Sequence, residues 1–193
     1  MGGRPYSAPG VDDVQFTSDL LDRLEADLCV DPRRVYATGK SNGGGLVGLL
    51  GCELSDRIAA IAPVAAAHYA VGHPACDPVR PVPVLAFHGT GDTTIPYAGD
   101  ADRGLPSITD WTRSWADRNG CRGTTTTRPL TTDVEVTRWR GCRRGADTAL
   151  VSVLGGGHTW PGADSYSGGG YTTPTEAAEL MWAFFRHHRL PKN

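Results

Sequence analysis

The residues of this sequence best suited to chemistry are a serine and the glycines around it. Gly39, Ser41 and Gly43 form a Gly-x-Ser-x-Gly pattern between a β-like run and a helix-like run. A serine hydroxyl acts as a nucleophile when a tight strand-to-helix turn exposes it with a base within hydrogen-bond reach. The two glycines let neighbouring backbone pass close by, and the N–H of Asn42 points to where an oxyanion would form. The pattern predicts attack by Ser41 on a carbonyl carbon.

A base and an acid for this serine follow further along the chain. In folds with such a turn, the partners come in the order serine, acid, histidine. Asp92 lies in a glycine-rich turn after the buried run 82–88, and His158 lies in a glycine-rich loop after the run 149–154. Of the six histidines, His158 alone falls in that order and in such a loop. We expect His158 to be the general base and Asp92 to orient it.

Other interpretations use residues of the same segments. Gly39-Lys40-Ser41 is similar to the end of a phosphate-binding loop, but that loop needs a glycine where Arg34 stands and a flexible run where this sequence is β-like. Asp164 competes for the role of the acid, but it follows the candidate base in the chain. His88 ends a strand, a position more typical of a packed structural histidine.

The elements that must position these residues alternate between strands and helices. Apolar spacing predicts helices over 11–28, 42–54 and 106–118, a last helix starting at Thr173, and strands over 34–38, 58–64, 82–88, 134–139 and 149–154. This alternation indicates an α/β fold with a mainly parallel sheet flanked by helices. Thr173 is expected to cap the last helix, with Pro174 in its first turn and Glu176 closing a capping box. Active sites of such sheets lie at the carboxyl ends of the strands.

Composition excludes several classes of partner. The chain has 193 residues, 21% of them charged, and a formal net charge of -2, so we expect neither nucleic acid nor a membrane surface as a partner. No apolar run is long enough to cross a bilayer. We expect residues 1–10, which lack the apolar core of a signal peptide, to be a flexible segment, and residues 11–193 to form one catalytic domain. The predicted chemistry needs neither a metal nor an organic cofactor.

The five cysteines include no Cys-x-x-Cys pair, so a zinc ribbon or a thioredoxin-like site is not indicated. We expect two disulfides and an oxidising compartment; the alternative is five reduced thiols in a cytosolic enzyme. The odd count leaves one thiol over. That thiol is either a buried Cys29 or a cysteine whose partner lies outside this sequence.

Five ordered motifs resemble the polyhydroxybutyrate depolymerase and feruloyl esterase group, which includes carbohydrate esterases that cleave feruloyl or acetyl groups from xylan. The motifs are Val11-Asp12-Asp13-Val14, Arg34-Val35-Tyr36-Ala37-Thr38-Gly39-x-Ser41-Asn42-Gly43-Gly44, Ile61-Ala62-Pro63-Val64, His88-Gly89-Thr90-x-Asp92 and Gly155-Gly156-Gly157-His158-Thr159-Trp160-Pro161-Gly162. The resemblance implies an α/β-hydrolase fold and a serine esterase that works through an acyl-enzyme. It also implies a substrate that is a feruloyl or acetyl ester of a plant polysaccharide, or a hydroxyalkanoate polyester.

The resemblance carries further implications for this chain. It places the family's catalytic triad at Ser41, Asp92 and His158. Members are usually secreted and disulfide-bonded, which implies an extracellular protein. It also pairs Cys121 with Cys142, and Cys52 with Cys76.

Three side chains near the predicted site are candidates for contact with the substrate. Trp160 stands beside the predicted base, and Tyr97 follows the predicted acid. The two rings could form an aromatic wall for a phenolic acyl group or a polyester segment, or could simply pack the loops. Lys40 stands where the family usually has methionine. A cation beside the serine could alter the preference for acyl groups, or could point away.

The sequence departs from the family before Val11. The family normally has further strands there, and they carry a His-Gly loop that supplies a second oxyanion N–H. With ten residues before Val11, we expect an N-terminally truncated domain whose exposed sheet edge allows self-association. Loss of one oxyanion donor costs roughly 100- to 1000-fold in rate. The alternative to an active esterase is therefore a weakly active or non-catalytic relative that binds a polymer.

Overall fold

A six-stranded sheet forms the centre of the fold. The computed structural model describes residues 10–69, 76–164 and 168–191; nearly all of the predicted flexible segment 1–10 lies outside them. The strands are β1 (Tyr36–Lys40), β2 (Ala60–Val64), β3 (Val84–Gly89), β4 (Thr126–Pro129), β5 (Val134–Trp139) and β6 (Thr148–Val153). Their order is β1-β2-β3-β6-β5-β4. Strands β1, β2, β3 and β6 run parallel, whereas β5 and β4 are added antiparallel.

In the part of the chain that the structure describes, four α-helices flank the sheet. They are α1 (Asp13–Asp27), α2 (Asn42–Glu53), α3 (Ile108–Arg118) and α4 (Ala177–Phe185), and short 3₁₀ turns occupy Pro32–Arg34 and Arg143–Gly145. The first three helices fall within the predicted ranges. Side chains cap two of them, because Asp12 accepts hydrogen bonds at the start of α1 and Ser107 accepts one at the start of α3.

The last helix begins later than the sequence predicts. Its N-cap is Glu176, which makes no side-chain capping bond, so the predicted cap at Thr173 is wrong. The hydroxyl of Thr173 instead accepts a hydrogen bond from the N–H of Thr175 at 3.2 Å. The N–H of Ala177 donates to the carbonyl of Pro161 at 3.1 Å. The chain before α4 is thus tied to the loop after His158 and cannot wind into the helix.

The core lies on both faces of the sheet, as expected for buried parallel strands. Strands β2, β3 and β6 are buried at every position. On one face, Leu85 and Phe87 of β3 belong to the cluster that contains Met181 and Phe185 of α4. On the other face, Val84 of β3 belongs to the cluster that contains Trp115 of α3. Successive residues of β3 thus face opposite sides of the sheet, and a helix packs on each side. This confirms the predicted α/β class with helices on both sides.

The sheet ends on one side at β1. Within the described residues β1 pairs with β2 alone, and none of its five residues is fully buried. Helix α1 covers little of the core: Leu21 is buried, but Leu20 and the C-cap residue Leu28 are exposed. No helix in the described parts of the chain has the length and apolar character needed to span a membrane.

Two disulfides fix helix ends to the strands. Cys52 of α2 is joined to Cys76 ahead of β3, and Cys121 after α3 is joined to Cys142 ahead of β6. These are the two pairs that the family resemblance implied. Cys29 is unpaired and exposed, so the first of the two alternatives for the odd thiol, a buried Cys29, is wrong. It follows Leu28, the exposed C-cap of α1, where the chain has already left the core.

Replacing both Cys121 and Cys142 with alanine should lower the free energy of unfolding by about 3 kcal/mol, because the disulfide closes a loop of roughly 20 residues in the unfolded chain. Urea denaturation measures the change. Cys29→Ala is the matched control, and it should leave the unfolding midpoint unchanged. An equal midpoint for the double variant and the parent would contradict the prediction.

Candidate active site

Ser41 occupies a strained turn between β1 and α2. Its backbone angles are φ 59° and ψ -123°, a region that residues other than glycine rarely adopt. Three hydrogen bonds hold the turn: its N–H donates to the carbonyl of Val64 at 3.0 Å, and its carbonyl accepts from Gly45 at 3.0 Å and from Ala67 at 3.1 Å. The predicted strand–turn–helix context of Ser41 is therefore present.

Close approach of backbone explains some of the glycines around Ser41. A Cβ at Gly39 would lie 2.8 Å from the carbonyl carbon and oxygen of Gly43, and a Cβ at Gly44 would lie 2.6 Å from the Cβ of Ala66. A Cβ at Gly43 would meet nothing within 4 Å. The expectation that Gly43 must be small for close packing is wrong, since it is the backbone of Gly43, and not its side-chain position, that crowds Gly39.

Gly39→Ala should destabilise the fold by about 1–3 kcal/mol, because the new methyl group must push the first turn of α2 away from β1. Gly43→Ala is the matched control. Its methyl group points into open space, and alanine favours the helix, so this variant should be as stable as the parent or more stable. Thermal unfolding of the two variants compares them. Equal destabilisation by both substitutions would argue against the close contact.

The first turn of α2 presents N–H groups beside Ser41. Asn42 is the first residue of the helix, and the leading N–H groups of a helix have no carbonyl partner within it. The helix dipole adds partial positive charge at this end. Asn42 thus lies where an oxyanion donor is expected. Tyr36–Lys40 is a strand, so the phosphate-loop interpretation loses the flexible backbone that it requires.

Asp92 and His158 form a buried hydrogen-bonded pair. His158 Nδ1 lies 2.8 Å from Asp92 Oδ2, and the two side chains are 6% and 0% exposed. Because a carboxylate only accepts, His158 Nδ1 carries a proton, and in the neutral imidazole Nε2 then has the lone pair. The other oxygen, Asp92 Oδ1, accepts from the N–H groups of Thr94 and Ile95, each at 2.8 Å. The structure therefore brings the predicted base and acid together.

The surroundings of Asp92 keep it ionised. Burial alone would raise its pKa, but the hydrogen bonds from His158, His88 and the N–H of Ile95 outweigh burial and hold the pKa of Asp92 well below its usual range. A carboxylate in this state can stabilise a positive charge on the imidazole of His158.

All three predicted catalytic residues lie at the same rim of the sheet. Lys40, Val64, Phe87 and Val151 stand side by side across the four parallel strands. Ser41 directly follows β1, Asp92 follows β3, and His158 follows β6. The rim is formed by the carboxyl ends of these strands, where the sequence placed the site. Asp164, the rival acid, is exposed, and the carboxylate bonded to His158 Nδ1 is that of Asp92.

The loop that carries His158 is anchored from outside the site. The N–H of His158 donates to the carbonyl of Gly169, and the N–H of Gly157 donates to that of Tyr171, each at 2.9 Å. The hydroxyl of Tyr171 donates in turn to Asp133 at 2.6 Å. The pKa of Asp133 is lowered chiefly by a hydrogen bond from Thr173, and further by those from Tyr171 and Thr131.

The candidate substrate contacts take part in packing. The Tyr97 hydroxyl lies 2.8 Å from Ser152 Oγ, and the ring meets His88 edge-on at 6.0 Å. Trp160 is partly buried against the cluster under α4. Lys40 is partly exposed; burial lowers its pKa, while the charge of Asp92 acts in the opposite direction.

Sequence reasoning missed the place of His88. It is fully buried, and its Nε2 lies 3.3 Å from Asp92 Oδ2. Its position four residues before Asp92, inside the motif 88–92, was the available signal. His68 is buried and stacks on Trp111 with ring centroids 3.5 Å apart.

Asp92→Asn should lower the free energy of unfolding at neutral pH, because it removes a carboxylate whose pKa is depressed in the folded state. Such a group stabilises the fold above its unfolded pKa, near 4, and the contribution fades as the pH falls below that value. The difference between the parent and the variant should therefore shrink between about pH 7 and about pH 3. Urea unfolding across this range tests it, with the exposed Asp102→Asn as control. A difference that does not vary with pH would contradict the assignment.

Known proteins with sequences similar to this chain are named as esterases. Feruloyl esterase B of Piromyces equi is 37% identical over 156 residues, which are 76% of this chain and 29% of that protein. A bifunctional acetylxylan esterase/xylanase of Neocallimastix patriciarum is 26% identical over 90% of this chain and 28% of its own length. This chain thus spans less than a third of either relative. No family model matches the sequence.

A solved structure supports the fold. The acetyl xylan esterase from Aspergillus awamori superposes with a TM-score of 0.59 at 15% identity, over 94% of this chain and 69% of that one. At this identity the likeness concerns the fold, and it confirms the predicted α/β-hydrolase fold.

Within the described residues, no group of three or more histidine, cysteine or acidic side chains is placed to hold a metal ion.

Proposed function

We propose that this chain, a homologue of feruloyl esterases and acetylxylan esterases, is a carboxylic ester hydrolase that acts through Ser41, His158 and Asp92. One observation carries the proposal most. His158 is held by a buried, ionised Asp92 at the rim of the sheet where Ser41 occupies a strained turn. A strained serine and a carboxylate-bound imidazole at one rim are what acyl transfer requires.

The proposed reaction proceeds in two halves. His158 Nε2 takes the proton of Ser41 Oγ as that oxygen attacks the ester carbonyl. The N–H of Asn42 and the start of α2 stabilise the oxyanion of the tetrahedral intermediate. The intermediate expels the alcohol, which takes the proton from His158, and the acyl group remains on Ser41. Water then attacks the acyl-enzyme with His158 again as base. The bond to Ser41 Oγ breaks, Ser41 takes the proton back from His158, and the carboxylic acid leaves. Asp92 stabilises the imidazolium in both halves.

Plant polysaccharide esters are the proposed substrate class. The relatives are named for feruloyl and acetylxylan ester cleavage, and both reactions release an acid from a sugar hydroxyl. Hydroxyalkanoate polyesters are the second substrate class in the proposal, since they present the same ester group. We place Trp160 and Tyr97 beside the acyl group and Lys40 at the entrance, where its ammonium would favour anionic substituents.

We also propose that the protein works outside the cell, as one catalytic domain. The two disulfides support this location, because such bonds persist in oxidising compartments. All strands in the described residues belong to one sheet, which supports a single domain. Strand β1 lies at the edge of the sheet within the described residues, so its outer side is the proposed surface for self-association.

Ser41→Ala should reduce ester hydrolysis at least about 1000-fold, because the variant lacks the attacking oxygen. The assay is a panel of methyl ferulate, acetylated xylan and a hydroxybutyrate oligomer, with Ser114→Ala on α3 as the control that keeps full activity. A parent that hydrolyses none of the three faster than Ser41→Ala, yet sediments with xylan, would identify a non-catalytic polymer-binding relative instead.

A further inference from the structure

Asp92 is contacted by a second imidazole besides that of His158. His88 Nε2 lies 2.8 Å from the carbonyl oxygen of Ile95 and 3.3 Å from Asp92 Oδ2. The side chains of His88 and Asp92 are 1% and 0% exposed. Two imidazoles therefore share one oxygen of a carboxylate that has no access to water.

The contacts of His88 define its protonation. Both groups that face Nε2, a carbonyl and a carboxylate, are acceptors, so Nε2 must carry a hydrogen. The ring is also fixed in place: His88 stands opposite Ser152 in the parallel register of β3 and β6, and the ring of Tyr97 meets it edge-on. Tyr97 is held in turn by its hydrogen bond to Ser152. His88 is a rigid donor and not a mobile base.

Both oxygens of Asp92 have donors close by. The N–H groups of Thr94 and Ile95 donate to Oδ1, His158 Nδ1 bonds to Oδ2, and His88 Nε2 lies 3.3 Å from the same Oδ2. Ile95 also connects the two sides of the carboxylate, since its N–H donates to Oδ1 and its carbonyl accepts from His88. This closed ring of contacts resists rotation of the carboxylate away from His158.

We propose that His88 is a positioning residue of the hydrolase, which acts through Asp92 and does not touch the substrate. Its Nε2–H, which is donated to the carbonyl of Ile95 and also faces Asp92 Oδ2, keeps the buried carboxylate ionised and aimed at His158. The inference rests on the proposed function for its kinetic part, but the state of Asp92 can be measured without catalysis.

The kinetic test compares two substitutions of His88. His88→Leu removes the donor and keeps an apolar side chain of similar size, and it should lower kcat roughly 10- to 100-fold with KM within about threefold, the scale known for groups that orient a site residue from outside. His88→Gln places an amide N–H near the former Nε2 and should recover most of kcat. Val134→Ala, a buried truncation in β5, controls for loss of stability alone. If His88→Leu stays folded with the kcat of the parent, or Gln and Leu lower kcat equally, the inference is overturned.

The second test uses the Ser41→Ala background, in which turnover is absent. Carboxyl carbon NMR should show a higher pKa for Asp92 when His88 is leucine, because one of the donors that lower this pKa is gone. The downfield proton resonance of the His158–Asp92 hydrogen bond should shift or broaden. An unchanged Asp92 pKa and an unchanged resonance would refute the positioning role. Failure of the proposed function would appear separately, as equal ester hydrolysis by the parent and Ser41→Ala.

Discussion

A carboxylate removed from water persists as an ion only where donors surround it, and the rim of this sheet is arranged around that requirement. Burying an unpaired charge is among the most costly changes a fold can make. Asp92 avoids the cost through two backbone N–H groups and two imidazoles. The loops after β3 and β6 must hold these donors in place, so the ion and the loops depend on each other.

The same rim supports the strained backbone at Ser41. A single residue in this conformation costs on the order of 1–3 kcal/mol and persists only where its surroundings leave no alternative. The parallel neighbour β2 accepts the N–H of Ser41 at Val64, and Ala67 donates to its carbonyl. The rigid sheet therefore holds the strained turn in its conformation. Strain at Ser41 and charge at Asp92 are both tolerated because buried strands lie beneath them.

Most of this arrangement, but not all of it, could be predicted from the sequence. Strand β5 matches the predicted bounds, and β1, β2, β3 and β6 overlap the predicted ranges, because their apolar runs have the length and alternation of buried strands. Strand β4 (Thr126–Pro129) was missed, since it is a largely exposed edge strand without an apolar pattern. The start of α4 was misplaced because distant backbone groups, invisible in sequence, hold the chain before it.

The candidate site, too, could be predicted only in part. The types and order of Ser41, Asp92 and His158 could be read directly, because this chemistry requires them in loops after strands. The role of His88 could not, since a histidine that ends a strand has many structural uses and its contact with Asp92 depends on the loop between them. Local pattern predicts which residues react, whereas tertiary contacts decide which residues hold them.

Cys29 gives the protein one exposed thiol to which a label or a support can be attached. The other four cysteines are consumed in disulfides, and this thiol is exposed. It lies shortly before β1 begins, whereas Ser41 stands where β1 ends, and a five-residue strand measures roughly 17 Å. A maleimide dye or a coated bead would attach at this one position. Chains immobilised in this way would all be attached through the same residue, which precedes the strand that leads to Ser41.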